Sequence, residues 1–249
     1  MEILSYLKHL KETGKKGFAV LIDPDDTDAE HVIALANRCN DARVDLVLFG
    51  GSLMLSSHMD KCIQAFKSAS NIPVVLFPGS PAQISRHADA LLLLSLVSGR
   101  NPDLLIGQHV LAAPAIKASG LEVIATAYML IDGGVPTTVS YMSHSAPIPR
   151  NKPDIALSTA WAAELMGQQI LYMDAGSGAQ FPISENMIKK VSNNVQLPLI
   201  IGGGIRDVAG VRKAFEAGAQ VVVVGNAIEK NPELIEEMSA VSKSVFINV

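Results

Sequence analysis

Eight short apolar runs recur along the 249-residue chain, and nearly every residue within each run is hydrophobic. Continuous hydrophobicity of this kind is typical of parallel strands that are buried on both faces. Segments with helical periodicity separate most of the runs, and this alternation favours a closed (β/α)8 TIM barrel over an open doubly wound sheet. We therefore predict one α/β barrel domain over residues 1–249, with strands at Phe18–Ile22, Asp45–Phe49, Pro73–Phe77, Ala90–Leu94, Glu122–Ala127, Ile170–Met173, Pro198–Ile201 and Gln220–Val224.

The helical patterns have start and stop signals of their own. Asp28 and Asp207 stand where N-caps are expected, Ser184 and Met187 bracket a polar first turn, and Gly218 stands where a helix should end. The N-terminal segment Met1–Lys16 is amphipathic and lacks the continuous apolar core of a signal peptide. The other predicted helices are Asp28–Cys39, Met59–Ser68, Ile106–Ser119, Thr159–Met166, Ser184–Val191, Val208–Glu216 and Asn231–Val241.

Two intervals depart from a regular barrel. Between Phe77 and Ala90 there are too few residues for a crossover helix and its two loops. We predict that helix 3 of the barrel is short or missing, which would open one flank. The second interval, Leu130–Ser158, is long and contains four prolines. A segment of this kind in a compact domain is more often a functional loop or an interface element than a linker.

Composition excludes some partners and compartments. The net charge is −4 without a basic cluster, which argues against nucleic acid as a partner. Cys39 and Cys62 are isolated, so we expect two reduced thiols in a cytoplasmic protein. The longest apolar stretch, Ala90–Val97, is too short to span a bilayer. Mean hydropathy is +0.29, which a buried parallel sheet would explain and an apolar ligand groove would explain as well.

Glycine-rich turns follow the last two apolar runs. Gly202–Gly204 follows the seventh run, and Gly225-Asn226 follows the eighth. Many (β/α)8 barrels bind phosphate with the loops after strands 7 and 8, because glycine lets backbone N–H groups approach an anion. We therefore expect a phosphorylated small molecule as ligand. The alternative is that these glycines only form tight turns between strand and helix.

Polar residues also follow strands 1 and 2, at the edge where barrel active sites are built. Asp23 follows strand 1 and suits a hard cation such as Mg²⁺, although a turn residue before Pro24 is the alternative. Asp25 and Asp26 are expected to cap the following helix. Ser52 follows strand 2 within a second glycine-containing turn and brings a hydroxyl to the barrel mouth.

The loops after strands 4 and 6 add further candidates. Arg100 follows strand 4 and is placed to meet a phosphate. Tyr172–Gly178 brings a phenol, a carboxylate and a Gly-Ser-Gly nest to the mouth. No lysine lies within a predicted strand, which argues against a Schiff-base aldolase. The six histidines show no metal-ligand spacing, and His144, in the long loop, is the single one kept as a candidate.

The order of these motifs resembles the geranylgeranylglyceryl phosphate synthase family, which includes the heptaprenylglyceryl phosphate synthases. The resemblance covers nearly the whole chain, and the segments Ser98–Pro102 and Pro147–Arg150 are similar to the larger, second group of the family. The motifs that carry it are Leu21–Asp25, Phe49–Ser52, Ser98–Pro102, Ile106–His109, Pro147–Pro153, Tyr172–Gly178, Gly202–Arg206 and Val224–Ala227.

This resemblance implies a barrel in which helix 3 is replaced. It also implies Mg²⁺-dependent transfer of a geranylgeranyl group from its diphosphate to the 3-hydroxyl of sn-glycerol 1-phosphate. Asp23 and Ser52 would hold Mg²⁺ and through it the diphosphate. The residues that would hold glycerol 1-phosphate are Tyr172, Met173, Asp174, Ala175, Gly176, Ser177, Gly178, Gly203, Gly204, Gly225 and Asn226.

The catalytic base is the point at which the chain departs from the family. Asp174 stands where the family usually has glutamate, and we expect it to accept the proton of the attacking hydroxyl while Tyr172 relays or orients. The alternatives left open are a longer, heptaprenyl donor, a phosphate-barrel isomerase or synthase, and a non-catalytic sensor of a phosphorylated metabolite. The sequence does not assign roles to four polar residues of the loops: Arg100, His144, Arg150 and Lys152.

The resemblance also bears on assembly. It implies a homo-oligomer, with a hexamer favoured and a dimer as the alternative. Tyr141 and Trp161, in and beside the proline-rich loop, are candidate subunit contacts, although ordinary packing would also explain them. Contact with a membrane is expected to be transient, because the implied product is a lipid and no anchor is visible.

Overall fold

The computed structural model describes residues 2–56 and 58–245, and these form a closed barrel of eight parallel strands. Each strand pairs with its neighbour in sequence, and the pairing of the first strand with the last, Gly17 beside Val221, closes the circle. The predicted TIM barrel is therefore confirmed. The strands are β1 Gly17–Ile22, β2 Leu46–Phe49, β3 Val74–Leu76, β4 Ala90–Leu96, β5 Glu122–Leu130, β6 Ile170–Asp174, β7 Leu199–Gly202 and β8 Val221–Val224.

Ten α-helices accompany these strands within the described residues. The predicted N-caps Asp28 and Asp207 are confirmed, since each side chain accepts a backbone N–H of the helix that follows, and Ser184 caps α7 in the same way. Met1 of the predicted N-terminal helix lies outside the described residues. The helices are α1 Ile3–Thr13, α2 Ala29–Asp41, α3 Met59–Ala69, α4 Gly107–Ser119, α5 Thr138–Met142, α6 Pro153–Leu165, α7 Glu185–Ser192, α8 Val208–Glu216, α9 Asn226–Lys230 and α10 Leu234–Ser244.

Three parts of the helix prediction differ from the structure by more than one or two end residues. Helix α6 begins at Pro153 rather than Thr159, because proline fits the first helical turn, where its missing N–H costs nothing. The proline-rich loop contains the short helix α5, which Thr137 opens with a capping box. The predicted helix Asn231–Val241 is replaced by α9 and α10, which are separated by Asn231–Glu233. The short helix that follows β8 was therefore missed.

The hydrophobic core has two layers. One lies inside the barrel and the other lies between the strands and the outer helices. Helix α1 closes the N-terminal end of the barrel, where Ile3, Leu7 and Leu10 are buried against the inner layer. The carboxylate of Glu122, at the start of β5, accepts the backbone N–H groups of Ile3 and Leu4 and so caps this helix.

The flank between β3 and β4 is open, as predicted. Residues 77–89 contain a single 3-10 turn, Pro81–Gln83, where a regular barrel would have helix 3. Strand β3 pairs with β4 at only two positions, whereas β4 and β5 pair at seven. Because β4 continues to Leu96 after β3 has ended at Leu76, the upper part of β4 is uncovered on this side.

Candidate active site

Asp174, the last residue of β6, is the buried carboxylate of the barrel mouth, with 8% of its surface exposed. Its Oδ2 accepts the phenol O–H of Tyr128 at 2.6 Å, and its Oδ1 accepts the backbone N–H of Gly176 at 2.8 Å. Burial raises the pKa of this carboxyl, while the two hydrogen bonds lower it. The two hydrogen bonds orient the carboxylate, and burial moves its pKa closer to neutral pH.

The loop after β7 packs directly on this carboxylate. Gly203 has a left-handed backbone, with φ at 78°, and a side chain there would collide with Asp174 and with the backbone N atoms of Ala175 and Gly176. Gly204 is also left-handed and faces the backbone at Phe181. Glycine is therefore required at both positions for the two loops to approach each other.

The loop after β8 joins the same cluster. The Ser177 hydroxyl donates to the side-chain oxygen of Asn226 at 2.9 Å, and Asn226 begins α9 directly after Gly225. Ala175 also donates its N–H to the carbonyl of Gly202 at 3.1 Å. The predicted glycine turns after strands 6, 7 and 8 are thus brought together. A short extra helix after β8 is the usual accompaniment of a phosphate site in such barrels.

Two of the predicted residues of strand β6 are not on the open surface of this cluster. Met173 is fully buried in the layer between the barrel and the outer helices, so its side chain does not reach the mouth. Tyr172 points inward and is 1% exposed, with its ring stacked on Phe77 at 4.7 Å between centroids. Burial and the nearby Asp174 raise the pKa of the Tyr172 phenol well above its usual value. Tyr172 therefore forms the floor beneath the mouth.

Asp23 and Ser52 lie on the opposite side of the mouth. The Asp23 carboxylate caps the turn that follows β1 by accepting the N–H of Asp25 at 3.0 Å. Its other oxygen lies against Gly51, the neighbour of Ser52, so close that a side chain at position 51 would collide with it. The structure thus brings the turn after β2 against the carboxylate that follows β1.

The expected capping role of Asp25 is wrong. Its two carboxylate oxygens accept the backbone N–H groups of Leu55 and Ser56, at 2.5 and 2.9 Å, and so tie the β1 loop to the β2 loop. Helix α2 is capped by Asp28 instead. Asp26, the other expected cap, is exposed at the end of the 3-10 turn.

The donor set on this side suits Mg²⁺. A carboxylate and a hydroxyl supply hard oxygen atoms, and Mg²⁺ in substrate complexes commonly binds one or two carboxylates together with phosphate oxygens and water. No three acidic, histidine or cysteine side chains cluster in metal-binding geometry among residues 2–56 and 58–245. Burial, together with Asp25 and Asp26, raises the pKa of Asp23. A bound cation would favour its ionised form.

An apolar groove of about 280 Å³ begins at the same rim. It starts beside Ser52 and Tyr128, passes Phe77, and continues along β4 into the space that helix 3 would fill. Its walls are leucine side chains of β4 and the inner face of α4, where Ala112 and Ile116 lie. The open flank of the barrel is therefore a hydrophobic binding groove rather than a gap.

Tyr128 is the site residue that sequence reasoning missed. It directly follows the predicted strand Glu122–Ala127 and received no role from the sequence, yet its hydroxyl holds Asp174 and its ring lines the apolar groove. Burial and the charge of Asp174 raise the pKa of this phenol well above its usual value, so it stays protonated and donates. The pairing of Tyr128 with Tyr172 across β5 and β6 could have indicated it, once the strand register was known.

The basic residues and the histidine of the loops have other contacts. Arg100 donates to the carbonyl of Gly99, and the Arg150 guanidinium lies 4.2 Å from the centre of the Phe181 ring. His144 has a left-handed backbone, with φ at 48°. Lys152 is exposed and precedes α6. None of these contacts forms an ion pair between a basic side chain of the loops and Asp174 or Asp23.

Comparison with known proteins decides the family. The model of the PcrB family matches residues 10–244. The chain belongs to the PcrB family. It is 58% identical to geranylgeranylglyceryl phosphate synthase of Chitinophaga pinensis over 92% of this chain and 91% of that relative. It is 47% identical to the enzyme of the same name from Spirosoma linguale, over 96% of both chains.

A solved structure matches at the level of the whole fold. It is (S)-3-O-geranylgeranylglyceryl phosphate synthase of Thermoplasma acidophilum, in complex with its substrate sn-glycerol-1-phosphate. The TM-score is 0.93 at 32% identity, and the match covers 98% of this chain and 100% of that structure. These similarities confirm the resemblance predicted from the sequence. This PcrB-family chain is accordingly an enzyme of the prenyltransferase class.

Proposed function

We propose that this PcrB-family chain transfers a geranylgeranyl group from geranylgeranyl diphosphate to the 3-hydroxyl of sn-glycerol 1-phosphate, releasing diphosphate. The observation that carries the proposal is the position of Tyr128, whose ring lines the apolar groove while its hydroxyl holds the carboxylate of Asp174. A hydrophobic donor tail and a hydroxyl acceptor would therefore meet at one point of the mouth.

The acceptor would bind at the glycine cluster of β6, β7 and β8. Gly176, Gly178, Gly203 and Gly204 all have positive φ, a conformation that glycine adopts readily and in which successive backbone N–H groups can form an anion-binding concavity. The Ser177–Asn226 hydrogen bond holds the β6 and β8 loops together around this space. The T. acidophilum relative is described with sn-glycerol-1-phosphate bound, which supports the same acceptor here.

The donor would bind from the other side of the mouth. Asp23 and Ser52 would hold Mg²⁺, which supplies positive charge for the leaving diphosphate. The apolar tail would follow the groove along β4, and burial in the groove would exclude water from the allylic carbon. Fixing both substrates on facing sides of one mouth would supply much of the acceleration by proximity.

Asp174 would accept the proton of the attacking hydroxyl. It needs to be ionised to do so, and the hydrogen bonds from Tyr128 and Gly176 favour the ionised form against the effect of burial. Tyr128 takes the orienting role that the sequence interpretation gave to Tyr172, because the phenol that contacts the carboxylate is its own. Tyr172 supports Tyr128 from below, with ring centres 5.8 Å apart.

The rival functions explain less of the structure. An isomerase or a sensor of a phosphorylated metabolite would use the glycine cluster, but neither needs an apolar groove at the same barrel mouth. A heptaprenyl donor remains the closest alternative, since the groove is open along the flank of β4. Donor length is therefore part of the test.

We propose further that the whole chain is one prenyltransferase domain that works in the cytoplasm as a homo-oligomer, a hexamer rather than a dimer. Tyr141 is 77% exposed and Trp161 is 44% exposed, which suits subunit contacts, although Trp161 also donates to the carbonyl of Asn194. None of the helices within the described residues is long and apolar enough to cross a bilayer. Contact with a membrane would be transient and serve product release.

The test is a transfer assay with labelled sn-glycerol 1-phosphate. Purified protein and Mg²⁺ are mixed in turn with geranylgeranyl, farnesylgeranyl and heptaprenyl diphosphate, and the label is extracted into organic solvent. Extraction that is greatest with geranylgeranyl diphosphate is the expected result. Extraction only with the heptaprenyl donor would replace the proposal by its closest alternative. No extraction with any donor, from folded protein, would refute prenyl transfer.

A further inference from the structure

The 3-10 turn that replaces helix 3 carries one buried polar side chain. Gln83 is 1% exposed although it lies on an otherwise open flank. Its side-chain oxygen accepts the N–H of Gly51 at 3.3 Å and that of Gly79 at 3.1 Å, and its side-chain nitrogen donates to the carbonyl of Gly51 at 2.8 Å. One amide therefore fastens the loop after β2 to the loop after β3.

These two loops form the donor side of the mouth. Gly79 packs on the backbone of Gly51 and Ser52, so that a side chain at position 79 would collide with the Gly51 carbonyl. Gly51 in turn lies against the Asp23 carboxylate. A continuous series of contacts thus leads from Gln83 through Gly51 to both oxygen donors, Asp23 and Ser52. Gln83 itself is not among the residues that line the groove.

We infer that Gln83 is a positioning residue for the diphosphate end of the donor, and this inference rests on the proposed function of the mouth. Loss of the amide would leave the N–H groups of Gly51 and Gly79 and the Gly51 carbonyl without their side-chain partner. Gly51 is half-buried, and an unpaired N–H and carbonyl there favour movement of the loop toward other partners, including water. The Ser52 hydroxyl would then no longer be held at a fixed position relative to Asp23.

The opposite end of the barrel offers a matched control. Gln220 is 5% exposed, and its side chain accepts the N–H of Leu199 at 2.9 Å and donates to the carbonyl of Gly218 at 3.0 Å. It joins two backbone segments just as Gln83 does, but it lies far from the mouth, at the start of β8. Gln83→Met and Gln220→Met therefore each remove one buried side-chain amide that joins two backbone segments, one at each end of the barrel.

The experiment measures Mg²⁺-dependent binding of inorganic pyrophosphate by calorimetry and the steady-state kinetics of prenyl transfer. For Gln83→Met we expect pyrophosphate affinity to fall and the KM for the prenyl donor to rise, each about 10-fold or more. The KM for glycerol 1-phosphate should stay within about twofold of wild type, since the acceptor loops keep their contacts. In Gln220→Met, the pyrophosphate affinity, the donor KM and the glycerol 1-phosphate KM should all stay within about twofold of wild type, while the melting temperature falls.

Gln83→Asn serves if Gln83→Met does not fold, because it keeps an uncharged amide on a side chain one methylene shorter, which does not reach Gly51 and Gly79 equally well. It should give a smaller change of the same kind. The inference is overturned if Gln83→Met has the same pyrophosphate affinity and the same donor KM as Gln220→Met. It is also overturned if the wild-type protein transfers the prenyl group but binds no pyrophosphate. Wild-type protein that binds pyrophosphate but transfers no prenyl group would refute the proposed function alone.

Discussion

The carboxylates at the two ends of the barrel differ in how their charge is compensated. At the N-terminal end, Asp45 accepts the N–H of Phe18 and forms an ion pair with Lys243, and Glu122 accepts two N–H groups of α1. At the C-terminal end, no ion pair among the described residues involves Asp23 or Asp174. Burial raises the pKa of both.

This difference shows how one fold separates stability from activity. A carboxylate that is paired with a lysine is already compensated and has little attraction left for a cationic ligand. A carboxylate that is buried without a cation is energetically costly until a metal ion or a proton reaches it. The uncompensated acids of a barrel therefore indicate where chemistry takes place, and here they lie at the C-terminal face, as expected for this fold.

The largest effect on activity is expected at Asp23. Asp23→Asn keeps the shape of the side chain but removes the charge, so Mg²⁺-dependent turnover should fall to background while the fold is retained. Turnover is measured over a series of Mg²⁺ concentrations, with circular dichroism as the check on folding. Activity like that of wild type would remove Asp23 from the metal site.

Asp174→Asn should reduce kcat by about 10²–10⁴-fold, because general-base catalysis is lost while binding of the donor is kept. Asp45→Asn is the matched control at the other end. It weakens the ion pair with Lys243 and should lower stability with little change in kcat. Equal kcat values for the two variants would show that Asp174 is not the base.

Tyr128→Phe is expected to act through the pKa of Asp174. The Tyr128 hydrogen bond lowers that pKa, so its loss should move the acid limb of the kcat profile to higher pH by about one unit. On the acid limb of the profile, activity at a given pH should fall by up to about 10-fold. Tyr172→Phe, which removes a phenol without a bond to Asp174, serves as the comparison. A profile unchanged in Tyr128→Phe would contradict the orienting role.

The smallest effect on activity is expected at Lys16, at the N-terminal end. This lysine is 4% exposed and donates to the carbonyl of Ala219, and burial lowers its pKa to about 8. Since the unfolded chain keeps the proton up to about pH 10.5, unfolding free energy should gain at most about 3 kcal/mol from this group between pH 8 and 10.5.

Denaturation of wild type and Lys16→Met across that range isolates this contribution. The variant should lack the gain, while its kcat at neutral pH stays close to that of wild type. A parallel pH dependence in the two proteins would show that Lys16 does not titrate in this way. A loss of activity in Lys16→Met would break the proposed separation between the two ends.

Several parts of the site followed from the sequence because they depend on local rules. Eight apolar runs separated by helical patterns predicted the barrel. The short interval after Phe77 predicted that helix 3 is missing. The glycine turns after strands 6 to 8 and the polar residues after strands 1 and 2 could be placed at one edge, because parallel strands all end there.

Other parts depended on contacts between distant residues. Tyr128 holds Asp174 across 46 positions of sequence, and Gln83 reaches Gly51 across 32. Neither partner can be read from a periodic pattern, since both depend on strand register and on how loops approach in space. The inward direction of Tyr172 and the outward direction of Met173 were decided in the same way.

The sequence by itself thus determined the elements, their order and the edge on which the chemistry is placed, because hydrophobic period, capping residues and glycine act over a few residues. Only the tertiary structure decided which phenol holds Asp174, which amide fastens the loops after β2 and β3, and where the groove runs. Those choices come from barrel closure, which fixes the register of the strands and thereby the side chains that meet at the mouth.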